Sequence, residues 1–249
     1  MRIAIAGGGG TVGERVTRAV RKRGHEAVVL SRTAGVDVRD PGAVRRALEG
    51  VDAVVDVLNI STLNTDRATE FFTAATTALL DAERTAGVGH HVALSIVGVD
   101  RAPHGYYAAK LAQERLVESG GVPWSIQRAT QFHDFARQMY DGARLGPLHL
   151  APRGRVQPVG AEEVAHRLVD LAEAGPAGRV ADLAGPQEES LDRMVRAYAR
   201  AQGAGGWIPA ISLPGGLGRA QRDGLLLPGP EAILGRQTFD AWLSGSDPD

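Results

Sequence analysis

Short apolar runs alternate with longer amphipathic ones along the first half of the chain, and this alternation sets the expected fold. Residues 2–6 (RIAIA) read as a strand, 11–23 as a helix closed by Gly24, and 26–30 (EAVVL) as a second strand. A short third strand is expected at 36–38. Asp40 followed by Pro41 marks a helix start, with Asp at the N-cap and Pro at the first helical position; the helix runs to about residue 48 and Gly50 closes it. A strand at 53–58 (AVVDVL), a helix at 66–86, a strand at 91–95, a helix at 106–119 capped by Gly120 and a strand at 124–129 complete the series. Helix 161–174, strand 180–183 and helix 191–201 continue it less regularly, and a Gly- and Pro-rich tail from 203 ends in the apolar segment 238–243. Strands separated by helices imply an α/β fold with a doubly wound parallel sheet covered on both faces. The whole chain, 1–249, reads as one domain, in which residues about 130–160 and 185–249 form a small substrate-side lobe over the strand C-termini.

The segment AGGGGTVG at 6–13 stands where the first strand meets the first helix. In that place glycines allow a tight turn, a close backbone approach to a pyrophosphate and close helix–strand packing, while the helix N-terminus offers unpaired N–H groups and the positive end of its dipole. Gly7, Gly10 and Gly13 match G-x-x-G-x-x-G; Gly8, Gly10 and Gly13 match G-x-G-x-x-G. Both spacings predict a Rossmann-type dinucleotide site, with Gly7, Gly9, Gly10, Thr11, Val12 and Gly13 against the cofactor. After the second strand come Ser31 and Arg32, with no acidic residue at the strand end. An acidic residue there would bond a ribose 2′-hydroxyl, whereas a hydroxyl and a guanidinium suit a 2′-phosphate, so NADP(H) is the expected cofactor. Asp37 and Val38 stand where an adenine would lie, and Leu58 and Asn59 end the 53–58 strand on the cofactor's expected path.

Composition narrows the function further. With 249 residues, 43% hydrophobic, 23% charged and a formal net charge of −1, the chain suits a soluble globular protein with no basic patch for nucleic acid. No apolar run approaches the ~20 residues of a membrane span, and no secretory signal is legible, so a cytoplasmic location is expected. The absence of cysteine excludes disulfides and thiolate chemistry. No metal-ligand spacing appears, and His90 and His91 are neighbours that point to opposite sides of a strand. No G-x-S-x-G nucleophile elbow is present. The acidic pair Glu162-Glu163 suits the start of its helix, where a structural role suffices.

Lys22 and Lys110 are the only two lysines in an otherwise Arg-based chain. Lys22 sits in a basic run and reads as solvated. Lys110 stands four residues after Tyr106 at the start of a helix, on the same face. Tyr106, Lys110 and Ser95 together suggest a proton-transfer site: a phenol titrates near ~10, and a nearby ammonium lowers that value. Tyr107, the neighbouring alternative, points more to packing. The glycine loop, Ser31-Arg32, LSIVG at 94–98, YYAAKLAQE at 106–114 and PWSIQRA at 123–129 span about half the chain, and with them the chain resembles the atypical short-chain dehydrogenase/reductases of the NmrA-like, NAD(P)H-binding group. The resemblance implies a Rossmann domain, NADP(H) on the glycine loop, and Tyr106 and Lys110 as the active pair, with Lys110 also on the nicotinamide ribose.

These readings predict an NADPH-dependent oxidoreductase that passes a hydride to a carbonyl, quinone or enone of a small apolar or aromatic substrate. Gln131, Phe132, His133 and Phe135, after the 124–129 strand, are the candidate pocket wall. A small molecule is the expected partner, with a homodimer as the candidate assembly. Two alternatives stay open. One is a non-enzymatic NADP(H) sensor that binds a regulatory protein. The other is an epimerase or dehydratase, which would need a second phosphate site, with Arg153, Arg155, Arg219 and Arg222 as its candidates.

Overall fold

The computed structural model describes residues 1–62 and 64–245. The chain divides into two compact units, 1–128 with 161–181, and 129–160 with 182–249. Residues 246–249 of the expected lobe lie outside the described residues.

In the first unit, β1 (Arg2–Ala6), β2 (Glu26–Leu30), β3 (Ala53–Asp56), β4 (His90–Ile96) and β5 (Trp124–Ala129) form a sheet in the order β5-β4-β3-β1-β2. β1 pairs in parallel with β2 and β3, and β3 with β4. The order reverses at β1, so the crevice between the carboxyl ends of β1 and β3 is the topological switch point at which Rossmann-type sheets bind ligands. Helices α1 (Thr11–Lys22), α2 (Pro41–Ala47), α3 (Thr65–Ala86) and α4 (Tyr106–Ser119) connect the strands.

The pleat sends alternate side chains of β1 to opposite faces. Ala4 and Ala6 join Val54, Leu58, Phe72, Leu79 and Ala109 in a core that α2, α3 and α4 share with one face of the sheet. Ile3 and Ile5 face the other way and are fully buried, as are Val16 and Val20 of α1 and Leu168 of the helix Ala161–Ala174. That helix packs on α1, and ion pairs rim the contact: Glu162 with Arg15 and Arg18, Asp170 with Arg23, and Glu173 with Arg23 and His25. The acidic start at Glu162 thus has a structural partner. Asp40 caps α2 through the Gly42 and Ala43 N–H groups, as its spacing to Pro41 predicts.

Two expected strands differ. Residues 36–38 form no strand: after β2 the chain makes a 3-10 turn at Arg32–Ala34, the Val36 N–H returns to the Ser31 carbonyl, and the Asp40 N–H bonds the Asp37 carbonyl. Local turn bonds take the groups a ladder would need. The expected strand 180–183 is split into Gly178–Arg179, paired with β5, and Leu183–Ala184. Between them the Gln127 side chain donates to the Ala181 carbonyl and replaces a rung of the ladder.

In the second unit, Leu183 pairs with Ala129 and with Ile233 of the short strand Ile233–Leu234. Helices Phe135–Gly142, Leu191–Ala201 and Phe239–Ser244 enclose a core of Val156, Leu191, Met194, Val195 and Phe239, with Phe135, Tyr140, Tyr198 and Trp242 partly buried around it.

Candidate active site

The glycine loop is built by close approach. The Gly7 N–H bonds the Leu30 carbonyl at 3.0 Å, the Gly10 N–H returns to the Gly7 carbonyl at 3.0 Å, and α1 begins with the Glu14 N–H on the Gly10 carbonyl at 2.9 Å. Gly7 holds a left-handed φ of +84°, and a Cβ there would stand 2.8 Å from the Val57 carbonyl oxygen and 3.1 Å from the Leu58 Cα. A Cβ on Gly13 would stand 2.2 Å from the Gly7 oxygen, whereas one on Gly10 would meet that atom at 3.3 Å. On Gly8, which holds no left-handed φ, a Cβ would stand 2.8 Å from the Val29 side chain and 3.1 Å from the Ile5 carbonyl oxygen. The geometry therefore selects Gly7-x-x-Gly10-x-x-Gly13 as the working spacing. Gly10 caps α1 with no side chain of its own, so the N–H groups of the first turn, at Thr11 and Val12, are left for a ligand. This cradle, which a Cβ at Gly7 or Gly13 would fill, fits a dinucleotide pyrophosphate.

At the end of β2, the Ser31 hydroxyl accepts from the Ala34 N–H at 3.2 Å and lies 3.0 Å from the Thr33 hydroxyl. A Cβ on Gly9 would be 3.6 Å from the Ser31 Oγ, so Ser31 adjoins the loop. Arg32 is exposed and makes no ion pair among the described residues. Asp37 is engaged: Arg39 donates to both of its oxygens, at 3.1 and 2.8 Å, and these bonds hold its carboxyl at about 2. Val38 is buried in the core.

Asn59 follows the end of β3, and its Oδ1 accepts the Tyr106 hydroxyl at 2.7 Å. The Phe72 ring packs edge-on to Tyr106, and the Lys110 ammonium sits 4.8 Å from the centre of the same ring. Lys110 is buried and donates to the Leu94 carbonyl at 2.7 Å and to the Gln113 Oε1. Burial lowers its pKa to about 8, with Asp56 and Glu114 opposing the shift. The expected lowering of the Tyr106 pKa is not found: burial raises it, and Tyr107 and Asp56 add to the rise. The i to i+4 spacing brings both residues to Phe72, but the ammonium is directed at the Leu94 carbonyl and Gln113. Ser95 is buried on β4, one residue beyond Leu94, and its hydroxyl has no hydrogen-bond partner among the described residues.

Around Lys110 lies a chain of buried polar groups that sequence reasoning missed. The Gln113 Nε2 donates to Asp56 Oδ2 at 2.8 Å, and Asp56 Oδ1 accepts the Leu58 N–H at 2.9 Å. His91 Nε2 is 3.9 Å from Asp56 Oδ2, and His91 Nδ1 meets both Glu83 oxygens, at 2.8 and 3.0 Å. The available signal was a polar side chain inside an apolar strand: Asp56 within AVVDVL and His91 at the start of β4. His90 turns the other way, to the Ser125 hydroxyl at 2.8 Å.

Burial pulls the His91 pKa down, but the charge and hydrogen bonds of Glu83, with Asp56 behind, outweigh it and the net value is raised above 6.5. A raised folded pKa means that the stabilisation is complete below the unfolded value and fades as pH climbs through the folded one. The wild type is expected to lose stability from about pH 6.5 upward, while His91→Gln, with no ring to titrate, lacks that slope. Urea midpoints measured across this range test it, and equal slopes would overturn it.

The remaining candidates lie in the second unit. Phe132 is half-buried and bridges to Val159. Gln131 is buried. His133 is buried, bonds the Gln237 carbonyl through Nε2 at 3.1 Å and stacks on Trp242. Phe135 packs into that unit's core. Among the described residues there is no metal-binding group of three or more acidic and histidine side chains, and no helix is long and apolar enough to cross a membrane.

Residues 32–174, more than half the chain, match the model of the NAD(P)H-binding family. No curated protein matches the sequence. Among solved structures, the chain is similar to the enzyme WbmH of Bordetella bronchiseptica in complex with NAD+, at 14% identity and TM-score 0.73, over 98% of this chain and 96% of that one. It is also similar to the NADPH-dependent quinone oxidoreductase of Escherichia coli complexed with NADPH, at 18% identity and TM-score 0.66, over 98% and 95%. A third is the triphenylmethane reductase of Citrobacter sp. complexed with NADP(H), at 18% identity and TM-score 0.65, over 92% of each chain. At these identities the likeness concerns the fold.

Proposed function

The chain belongs to the NAD(P)H-binding family, as its resemblance to the NmrA-like, atypical short-chain dehydrogenase/reductases implied, and on that premise we propose that it is an NADPH-dependent oxidoreductase acting on a carbonyl, quinone or enone. The observation that carries this reading is the link between cradle and tyrosine. Gly7 abuts Val57 and Leu58, and Asn59, the next residue, receives the Tyr106 hydroxyl, so a proton donor stands beside the path from the glycine loop.

NADPH, when bound, supplies the hydride. Gly7 and Gly13 admit its pyrophosphate, and the first turn of α1 provides N–H donors. The exposed Arg32 guanidinium suits a 2′-phosphate, and Arg39 occupies Asp37, the nearby carboxylate that could otherwise serve a 2′-hydroxyl. Tyr106 donates its hydroxyl proton to the substrate oxygen as hydride arrives. Its raised pKa keeps the hydroxyl protonated at neutral pH and makes it a weaker acid than an ordinary phenol. Lys110 braces β4 at Leu94, beside the Ser95 hydroxyl, which has no partner among the described residues and can polarise the same oxygen.

A non-enzymatic NADP(H)-responsive regulator is the second reading. The inward bonds of Lys110 and the raised pKa of Tyr106 favour it, because they do not assist formation of a phenolate. The test is NADPH consumption with quinones, enones and aromatic ketones, for wild type and Tyr106→Phe, with NADH in parallel. Turnover with NADPH that drops about 100-fold in the variant, with NADPH affinity unchanged, is expected for a positioned proton donor. Tight NADPH binding without turnover would move the assignment to the regulator. Failure to bind NADPH would reject both.

A further inference from the structure

Lys110 meets the polar interior through a single amide. The Gln113 oxygen accepts from the ammonium, and its Nε2 donates to Asp56 Oδ2 at 2.8 Å. The two neighbours fix the direction of this amide: an ammonium has only donors and a carboxylate only acceptors, so a flipped Gln113 would set donor against donor and oxygen against oxygen. Asp56 is itself held at two points, by Gln113 and by the Leu58 N–H at 2.9 Å, with the His91 Nε2 beyond hydrogen-bond reach at 3.9 Å from Oδ2. It is fully buried at the carboxyl end of β3.

We propose that Asp56 is the positioning residue of the site: one carboxylate oxygen polarises Gln113 and through it aims the Lys110 ammonium at the Leu94 carbonyl, while the other ties the start of the Leu58–Asn59 segment that receives Tyr106. Asp56 touches neither cofactor nor substrate in this role. The roles of Tyr106 and Lys110 follow the reductase reading, on which this inference rests; the link from Asp56 to Lys110 does not. The charged groups facing the ammonium are Asp56 on β3 and Glu114 on α4, with His91 of β4 and Glu83 of α3 beyond Asp56. Glu114 is engaged by Arg128 through both oxygens, which leaves Asp56, of these two, as the carboxylate without an arginine partner among the described residues. The Coulomb energy of an ammonium and a carboxylate is large where water is absent, so loss of the Asp56 charge should be legible at Lys110.

With Lys22 and Lys110 the only lysines, protein labelled with 13C at lysine Cε has two side-chain signals, and the Lys110→Arg variant assigns them. The experiment follows the Lys110 signal against pH in wild type and in Asp56→Asn, which keeps an oxygen for the Leu58 N–H but removes the charge and reverses the match with Gln113. The Lys110 midpoint is expected to fall by a unit or more, a tenfold loss of proton affinity or greater, and the alkaline limb of the turnover profile is expected to move down with it. An unmoved midpoint in folded Asp56→Asn overturns the proposal. Should that variant not fold, Gln113→Met cuts the same link with the Asp56 charge left in place; a smaller fall is expected, because the ammonium loses its amide acceptor, and an unmoved midpoint again overturns the proposal. A midpoint that falls in a protein with no turnover on any substrate supports the Asp56 link and rejects the reductase reading alone. Turnover with an unmoved midpoint rejects the link alone.

Discussion

Gly13→Ala is expected to lower NADPH affinity at least ~100-fold, a change of ~2.7 kcal/mol, although alanine is the better helix former by ~1 kcal/mol. The added Cβ would stand 2.2 Å from the Gly7 carbonyl oxygen and 2.6 Å from the Gly8 Cα. Both obstacles are backbone, so no side-chain rotation relieves them. Either the first turn of α1 moves off the loop or the loop moves toward β3, where Gly7 already abuts Val57 and Leu58. Each movement displaces the N–H groups that would face the pyrophosphate. Gly10→Ala is the control: its Cβ meets the Gly7 oxygen at 3.3 Å, which a shift of a few tenths of an ångström accommodates, and its affinity should stay within a few-fold of wild type. NADPH titration of the three proteins decides the matter. Equal affinities in Gly13→Ala and Gly10→Ala would show that the close backbone approach at Gly13 does not hold the loop for the cofactor.

Arg128→Met is expected to have the largest effect on stability. Arg128 is buried on β5 and donates from Nε and Nη2 to the two oxygens of buried Glu114, at 2.8 and 2.7 Å, and from Nη1 to Asp100 at 2.9 Å. Burial pulls its pKa down, and the bonds to Glu114 and Asp100 outweigh that and raise it. Methionine keeps much of the volume but leaves the Glu114 carboxylate buried with only Arg179, at 3.5 Å, to answer it. Stranding one partner of a buried pair costs about 3–5 kcal/mol, or roughly a 10 °C fall in Tm for a chain of this size. The double variant Arg128→Met with Glu114→Gln removes the stranded charge and should recover about half of the loss. Thermal melts of wild type, single and double variants test it. A single variant no less stable than the double would show that burial of Glu114 carries no penalty.

The glycine loop was fully legible in the sequence because its constraint is local: a strand, a turn without side chains and a helix must follow one another within a dozen residues. The choice between the two glycine spacings was not legible, because it depends on Val57 and Leu58, just after β3, pressing on Gly7, a contact between segments far apart in sequence. The helices Tyr106–Ser119, Ala161–Ala174 and Leu191–Ala201 have the bounds that their apolar periodicity predicts. The strand expected at 36–38 fails for the opposite reason. Three apolar or turn-tolerant residues carry little periodicity, and the bonds of Val36 to Ser31 and of Asp40 to Asp37 closed a turn instead.

By itself the amino-acid sequence determined the alternation of strands and helices, the Rossmann-type class and the place of the glycine loop, since each follows from short-range periodicity and from where glycine stands. It also brought Tyr106 and Lys110 to one helix face. Only the tertiary structure decided what they do there. Burial against Phe72 raised the tyrosine pKa, and Leu94, Gln113 and Asp56, from β4, α4 and β3, took the ammonium inward. Spacing states which residues share a face, whereas direction and protonation depend on the dielectric and on partners that other strands deliver.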